Sequence, residues 1–167
     1  MFLSRSEIYK EIEKGNIKIE PFNKKLVGPI SVDLTLGDEF GILLKKYIRL
    51  TKNVDYKKYV KIKKLKKIVL NPGDFVLGIT KEKITLSENI AGFLSSRSRY
   101  ARFGILVHAT APLIHPGVSN KQVFEIKNIS NAKIELRPGL HIGQVSFIRI
   151  VGKAKYNGAF KFQEHIK

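Results

Sequence analysis

A mainly β fold with one short helix at the N-terminus is what this sequence predicts. Three observations carry the prediction. The helical signals lie ahead of Gly15. Short apolar, β-branched runs then recur between Gly, Pro and Asn turn signals, the pattern of many short strands. No fixed-period repeat and no linker-like stretch interrupts them, and 167 residues suits one domain with a sizeable core.

The elements follow in chain order. Ser4–Lys14 reads as the helix: Ser4 stands where an N-cap is needed, Glu7 three residues on completes a capping box, Ile8 and Ile12 share a face, and Gly15 stops it. Strands are predicted at Ile17–Ile19, Val32–Leu36 and Gly41–Leu44, then at Lys67–Leu70 and Phe75–Thr80. Ile105–His108, Val123–Ile126, Ile134–Leu136 and Gln144–Ile150 complete the set, with His108 expected to pack within its strand. Lys52–Lys67 is the one biased segment, with eight lysines against Asp55. It reads either as a nucleic-acid patch or as a two-stranded solvated arm whose lysines discourage edge pairing. The arm is preferred and nucleic acid is not expected as a partner, because Tyr56 and Tyr59 are the only aromatics interleaved there.

Composition narrows the function. No apolar run approaches the roughly 18 residues of a membrane span, and Ser4, Arg5, Ser6 and Glu7 interrupt any leader-like opening. The chain has no cysteine, so it has no disulfide framework, and a cytoplasmic location is expected. A formal net charge of +17 favours anionic partners, nucleoside triphosphates among them. His108, His115, His141 and His165 show no metal-cage spacing, and without cysteine the His/Cys site of zinc-dependent nucleobase deaminases is excluded.

The densest chemistry lies in Ser95–Ile126, SSRSRYARFGILVHATAPLIHPGVSNKQVFEI. Ser95–Arg102 packs three serines and three arginines into eight residues. Arginine forks bind phosphate oxygens in bidentate fashion, so the turn suits an anion. Further on, Glu125 stands between Phe124 and Ile126 in an apolar run. A carboxylate there either faces solvent or has a partner and a job.

This stretch resembles the signature of the dCTP deaminase family, within the trimeric dUTPase superfamily: an SSxxR phosphate turn, an IDPG turn, then a strand bearing the catalytic Glu. LVGPISVDLTLGDEF, LNPGDFVLGITKEKITL, LRPGLHIGQVSF and AFKFQ resemble further blocks of that family, in family order. Only residues 41–69 look private to this chain. The resemblance implies a distorted β-barrel or jelly roll of the dUTPase-like type, one domain over 1–167 whose C-terminal tail 154–167 closes over the nucleotide, and a homotrimer with sites at subunit interfaces. It implies Glu125 as the catalytic base and acid. Arg97, Ser98, Arg99 and Arg102 become candidate phosphate-side residues and Ala111 a base-pocket residue. His115, Gln144, Tyr156, Lys161 and Gln163 join the substrate-binding set. Mg²⁺ is expected to arrive with the triphosphate, not in a protein cage.

Three departures bear on the product. Arg99 stands where the family has a small hydroxyl residue beside the catalytic water. His115 replaces the Asp of IDPG, which in dUTPases contacts the sugar 3′-hydroxyl and helps to activate water; its loss beside a retained Glu125 favours deamination. Leu113 replaces an arginine of dedicated deaminases and pulls the other way. The preferred reading is dCTP deaminase, with dUTPase or a bifunctional enzyme as the alternative and a non-catalytic nucleotide or nucleic-acid binder as a third.

Overall fold

The computed structural model describes residues 1–44, 47–108 and 110–166. Helix α1 (Arg5–Glu13) opens the fold, with Ser4 and Lys14 as its caps. The expected capping box does not form. The Ser4 hydroxyl lies 3.0 Å from Ser6 Oγ, and Glu7 pairs with Lys10 at 2.7 Å. The Arg5 N–H donates instead to the Pro29 carbonyl at 2.7 Å, so a neighbouring loop relieves one orphan donor of the first turn. Gly15, at φ 74°, ends the helix in the left-handed conformation that glycine adopts without strain.

Twelve strands follow among the described residues. β1 (Ile17–Glu20), β2 (Val32–Leu34), β3 (Leu36–Leu43), β4 (Val60–Lys64) and β5 (Ile68–Leu70) precede the long β6 (Phe75–Leu86). After β7 (Ile90–Ser96) come the one-turn helix α2 (Ser98–Ala101), β8 (Ile105–Leu106), β9 (Leu113–Ile114), β10 (Ser119–Asn128), β11 (Ile134–Leu136) and β12 (Gly143–Arg149). All ladders are antiparallel. One sheet runs β4-β3-β6-β10-β8 with β1 also on β6, a second runs β2-β12-β7-β9, and β5 pairs with β11. One apolar cluster joins these sheets, with Phe40, Phe124 and Phe147 fully buried and Ile8 of α1 packed into it.

Strands with plain alternation lie where the sequence places them, though β6 and β10 are longer than their apolar runs. β10 alternates a buried face carrying Phe124 and Ile126 with a half-buried face carrying Glu125, and its polar residues extend it at both ends. β7 has no counterpart among the predicted strands. Gly92 interrupts its pattern because Val145 and Ile114 leave no room there: a Cβ would sit 3.0 to 3.1 Å from them. The 105–108 strand shrinks to Ile105–Leu106, and His108 lies beyond it. The lysine-rich segment is not a two-stranded arm. It holds a 3₁₀ turn at Tyr56–Lys58 and the edge strand β4, which joins β3, while β5 leaves to pair with β11.

Candidate active site

Glu125 stands on β10 opposite Leu77 of β6, on the half-buried face of the strand. It opens into a cleft of about 350 Å³. Its Oε2 accepts from the Thr110 backbone N–H at 2.8 Å and from the Thr110 hydroxyl at 2.6 Å. Both bonds favour the ionised carboxylate and fix its position. Leu77, Leu94, Val118 and Val123 give the cleft apolar walls, and Asn120 and Gln122 add amides. An apolar hollow with a few convergent polar groups is what a small planar ligand needs.

Of the sequence-predicted site residues, Ala111, His115, Tyr156 and Gln163 line this cleft with Glu125. The His115 ring stacks on Tyr156, with centroids 5.0 Å apart and planes within 3°. The Tyr156 N–H donates to the Pro116 carbonyl at 2.9 Å, which ties the chain after β12 to the turn carrying His115. Gln163 is buried: its carbonyl accepts from the Lys121 N–H at 2.8 Å, and its amide reaches the Lys121 carbonyl at 3.4 Å. The C-terminal segment therefore lies against its own chain. Ser119 N–H donates to Lys161 O at 2.9 Å, and Ile166 is buried, its N–H donating to Glu39 Oε1 at 2.6 Å. Lys167, the last residue of the expected tail, lies outside the described residues.

The other predicted residues lie elsewhere. Arg97, Ser98, Arg99, Arg102, Gln144 and Lys161 do not line the Glu125 cleft. Arg97 stands at the end of β7, with its guanidinium 3.0 Å from the Asp33 carboxylate of β2 and 3.4 Å from the His141 carbonyl. Burial pushes the Asp33 carboxyl up, against the pull of Arg97 and His141. Gln144 of β12 pairs with both Asp33 and Ser95 across the ladders. Its amide oxygen accepts from Ser31 at 2.9 Å, and its nitrogen donates to the Ser96 carbonyl at 3.3 Å. Ser98, Arg99 and Arg102 are exposed on and just after α2, and neither Arg99 nor Arg102 has an ion-pair partner among the described residues. Lys161 reaches Asn157 Oδ1 at 3.2 Å and lies over the Phe162 ring. One chain thus carries two polar centres, a carboxylate cleft on β10 and an arginine turn at the end of β7.

Sequence reading missed His108 and Tyr56, which line the cleft, and Thr110, which holds Glu125. Thr110 carried no signal, because its partner Glu125 is fifteen positions away and only the fold joins them. His108 was placed in a strand; it instead lines the cleft, and its Nε2–H donates to the Ala111 carbonyl at 2.6 Å. Tyr56 comes from the lysine-rich segment. Among the described residues no group of three His, Cys, Asp or Glu side chains is arranged to hold a metal ion, and no helix is long and apolar enough to cross a membrane.

The comparisons agree with this architecture. The family model described as dCTP deaminase-like matches residues 2–150. A relative from Mycolicibacterium vanbaalenii, named dCTP deaminase, dUMP-forming, is 37% identical over 160 residues, which cover 93% of this chain and 84% of the relative. A protein of the same name from Corynebacterium glutamicum is 35% identical over 159 residues, again 93% and 84% of the two chains. Among solved structures, the 2′-deoxycytidine 5′-triphosphate deaminase of Agrobacterium tumefaciens superposes with a TM-score of 0.69 at 19% identity. The match covers 87% of this chain but spans only 48% of that one. A dUTPase variant of Staphylococcus bacteriophage 80alpha gives a TM-score of 0.52 at 14% identity over 86% and 88% of the two chains. The two structural matches speak for a mainly β, dUTPase-like fold, and the family match together with the two sequence relatives places the chain in the dCTP deaminase-like family.

Proposed function

We propose that this protein deaminates dCTP to dUTP and ammonia, with Glu125 as the proton-transferring group. The observation that carries the reading is a carboxylate held by Thr110 at the wall of a cleft sized for a nucleotide base. Hydrolytic deamination needs a base to take a proton from water as the oxygen attacks C4 of the cytosine. It then needs an acid to protonate the departing amino group. One positioned carboxylate performs both transfers in sequence, and the carbonyl of uracil forms as ammonia leaves.

Arg97, Ser98 and Arg102 would hold the triphosphate, with Gln144 beside them. Because they lie outside the Glu125 cleft of their own chain, the reading includes a homotrimer in which the arginine turn of one copy faces the Glu125 cleft of the next. The residues 154–167 that close over the nucleotide in this reading already border the cleft through Tyr156 and Gln163. Mg²⁺ would be held by phosphate oxygens of the incoming triphosphate.

A second reading, in which the enzyme goes on to hydrolyse dUTP to dUMP and pyrophosphate, is favoured by the names of the curated relatives. Against it stands His115, flat against Tyr156 where the family resemblance expects an aspartate. Incubation with dCTP or dUTP and Mg²⁺, resolving ammonia, dUTP, dUMP and pyrophosphate, separates the readings. Ammonia and dUTP from dCTP support deamination alone, and dUMP from both substrates supports the bifunctional enzyme. Cleavage of dUTP without deamination of dCTP, or nucleotide binding without turnover, refutes the deaminase. His115→Asp is expected to raise dUMP formation relative to dUTP formation by restoring an anionic group beside the sugar.

A further inference from the structure

Tyr56 belongs to the lysine-rich segment, outside the sequence blocks that carry the resemblance though within the residues 2–150 that the family model matches. The fold nonetheless brings it to the wall of the Glu125 cleft. The delivery is local and well defined. The Asp55 carboxylate accepts from the Lys57 N–H at 3.1 Å and caps the 3₁₀ turn, while Tyr59 N–H donates to the Tyr56 carbonyl at 2.8 Å. Leu44 N–H then donates to the Tyr59 carbonyl at 2.9 Å and moors the turn beside the end of β3.

A second hollow, of about 360 Å³, is lined by Tyr56, Lys57, Val60, Ile62 and Ile166. Tyr56 and Ile166 border both hollows and form the wall between them. Tyr56 is half-buried, and burial, with Asp55 beside it, raises the phenol pKa. No described ring stacks on it, whereas the His115 and Tyr156 rings occupy one another. Lys57 and Lys58, in the same turn, are exposed and have no carboxylate partner among the described residues.

From this placement we propose that the lysine-rich segment is part of the substrate-binding apparatus, with Tyr56 as a base-stacking wall of the Glu125 cleft. The proposal rests on the nucleotide reading given above. An aromatic face holds a planar base irrespective of its hydrogen-bond pattern, so Tyr56 supplies affinity for the pyrimidine ring. Lys57, which lines the neighbouring hollow, and Lys58 add positive field in the same turn and favour a polyanionic ligand. The lysine-rich segment is thereby an affinity element of the cleft and not a detached solvated arm.

Steady-state kinetics on Tyr56→Ala and Tyr56→Phe, with thermal melts of both, test the assignment. Tyr56→Ala is expected to raise KM for dCTP about tenfold with kcat little changed, whereas Tyr56→Phe keeps the ring and stays near the wild-type KM. The chain contains no tryptophan, so Tyr56→Trp makes a single emitter at the cleft wall. Its emission is expected to shift saturably with dCTP at the affinity read by calorimetry. A wild-type KM in Tyr56→Ala at unchanged Tm overturns the proposal, as does an indole emission that ignores saturating dCTP. If Tyr56→Ala does not fold, the indole titration decides alone. Wild-type turnover and calorimetry are read separately: a protein that neither binds nor deaminates dCTP refutes the nucleotide reading first, and this proposal with it.

Discussion

In the proposed reaction Glu125 transfers the protons, and Thr110 holds its carboxylate through two hydrogen bonds. Glu125→Gln keeps the shape and removes the basicity, so dCTP turnover is expected to fall at least about a hundredfold while calorimetric nucleotide binding persists. Undiminished deamination by this variant would reject the assignment. In that reading Thr110 acts through Glu125 and is a positioning residue. Thr110→Val keeps the backbone N–H and deletes the hydroxyl, so it is expected to lower kcat for dCTP about tenfold with KM little changed, and Thr110→Ser to restore kcat. Loss of activity in Thr110→Val that Thr110→Ser does not restore, or that tracks a fall in Tm, would assign Thr110 a merely structural role. Glu125 drew notice in the sequence as a carboxylate between Phe124 and Ile126, and the family resemblance made it the catalytic candidate. Thr110 did not, since a hydroxyl in a loop is unremarkable until a strand brings a carboxylate to it.

At the scale of elements, α1 is tied to β12 by a buried carboxylate. Glu11 is fully buried and accepts from Arg149 Nη2 at 2.8 Å and from Asn16 Nδ2 at 2.7 Å, with Lys14 at 3.6 Å. Burial alone would raise its pKa, but the Arg149 and Asn16 bonds and the positive charges of Arg149 and Lys14 outweigh burial and hold it below the ordinary carboxylate value. A lowered folded-state pKa contributes stability that is present above the unfolded value and is lost as pH falls through the folded one. Arg149→Met leaves the buried carboxylate with weaker partners and is expected to cost roughly 2 kcal/mol in chemical denaturation at neutral pH. Below the ordinary glutamate range the gap between variant and wild type should narrow. A gap of constant size across that range would mean that Arg149 stabilises by packing alone. The helix was readable from Ser4, its Ile8–Ile12 face and Gly15. Its anchor was not, because Glu11 and Arg149 are 138 residues apart.

At the scale of the whole molecule, the two candidate polar centres belong to different sheets. The arginine turn is fastened to the β2-β12-β7-β9 sheet through Arg97, Asp33 and Gln144, while Glu125 belongs to the sheet built on β6 and β10. If a nucleotide spans the cleft of one copy and the arginine turn of another, two differently damaged chains can repair one another. Glu125→Gln and Arg102→Ala, each inactive alone, are expected to regain activity when co-expressed, with about a quarter of the sites intact in randomly mixed closed oligomers. Mixtures no more active than the separate variants would place both functions within one chain.

What the sequence determined by itself was the β class, the helix start and the strands with plain alternation, and it offered candidates for a phosphate-and-carboxylate chemistry. Periodicity, turn residues and the cost of burying charge are local rules, and they can be read along the chain. What only the tertiary structure decided was which of those residues meet. Gly92 hides β7 until the packing of Val145 and Ile114 explains it. Tyr56 reaches the cleft because a capped turn is moored beside the end of β3, whereas Arg97 pairs with Asp33 of β2 and does not line the cleft, although Leu94 of β7 does. Such meetings depend on strand order and register, which long-range packing sets and no stretch of neighbouring residues records.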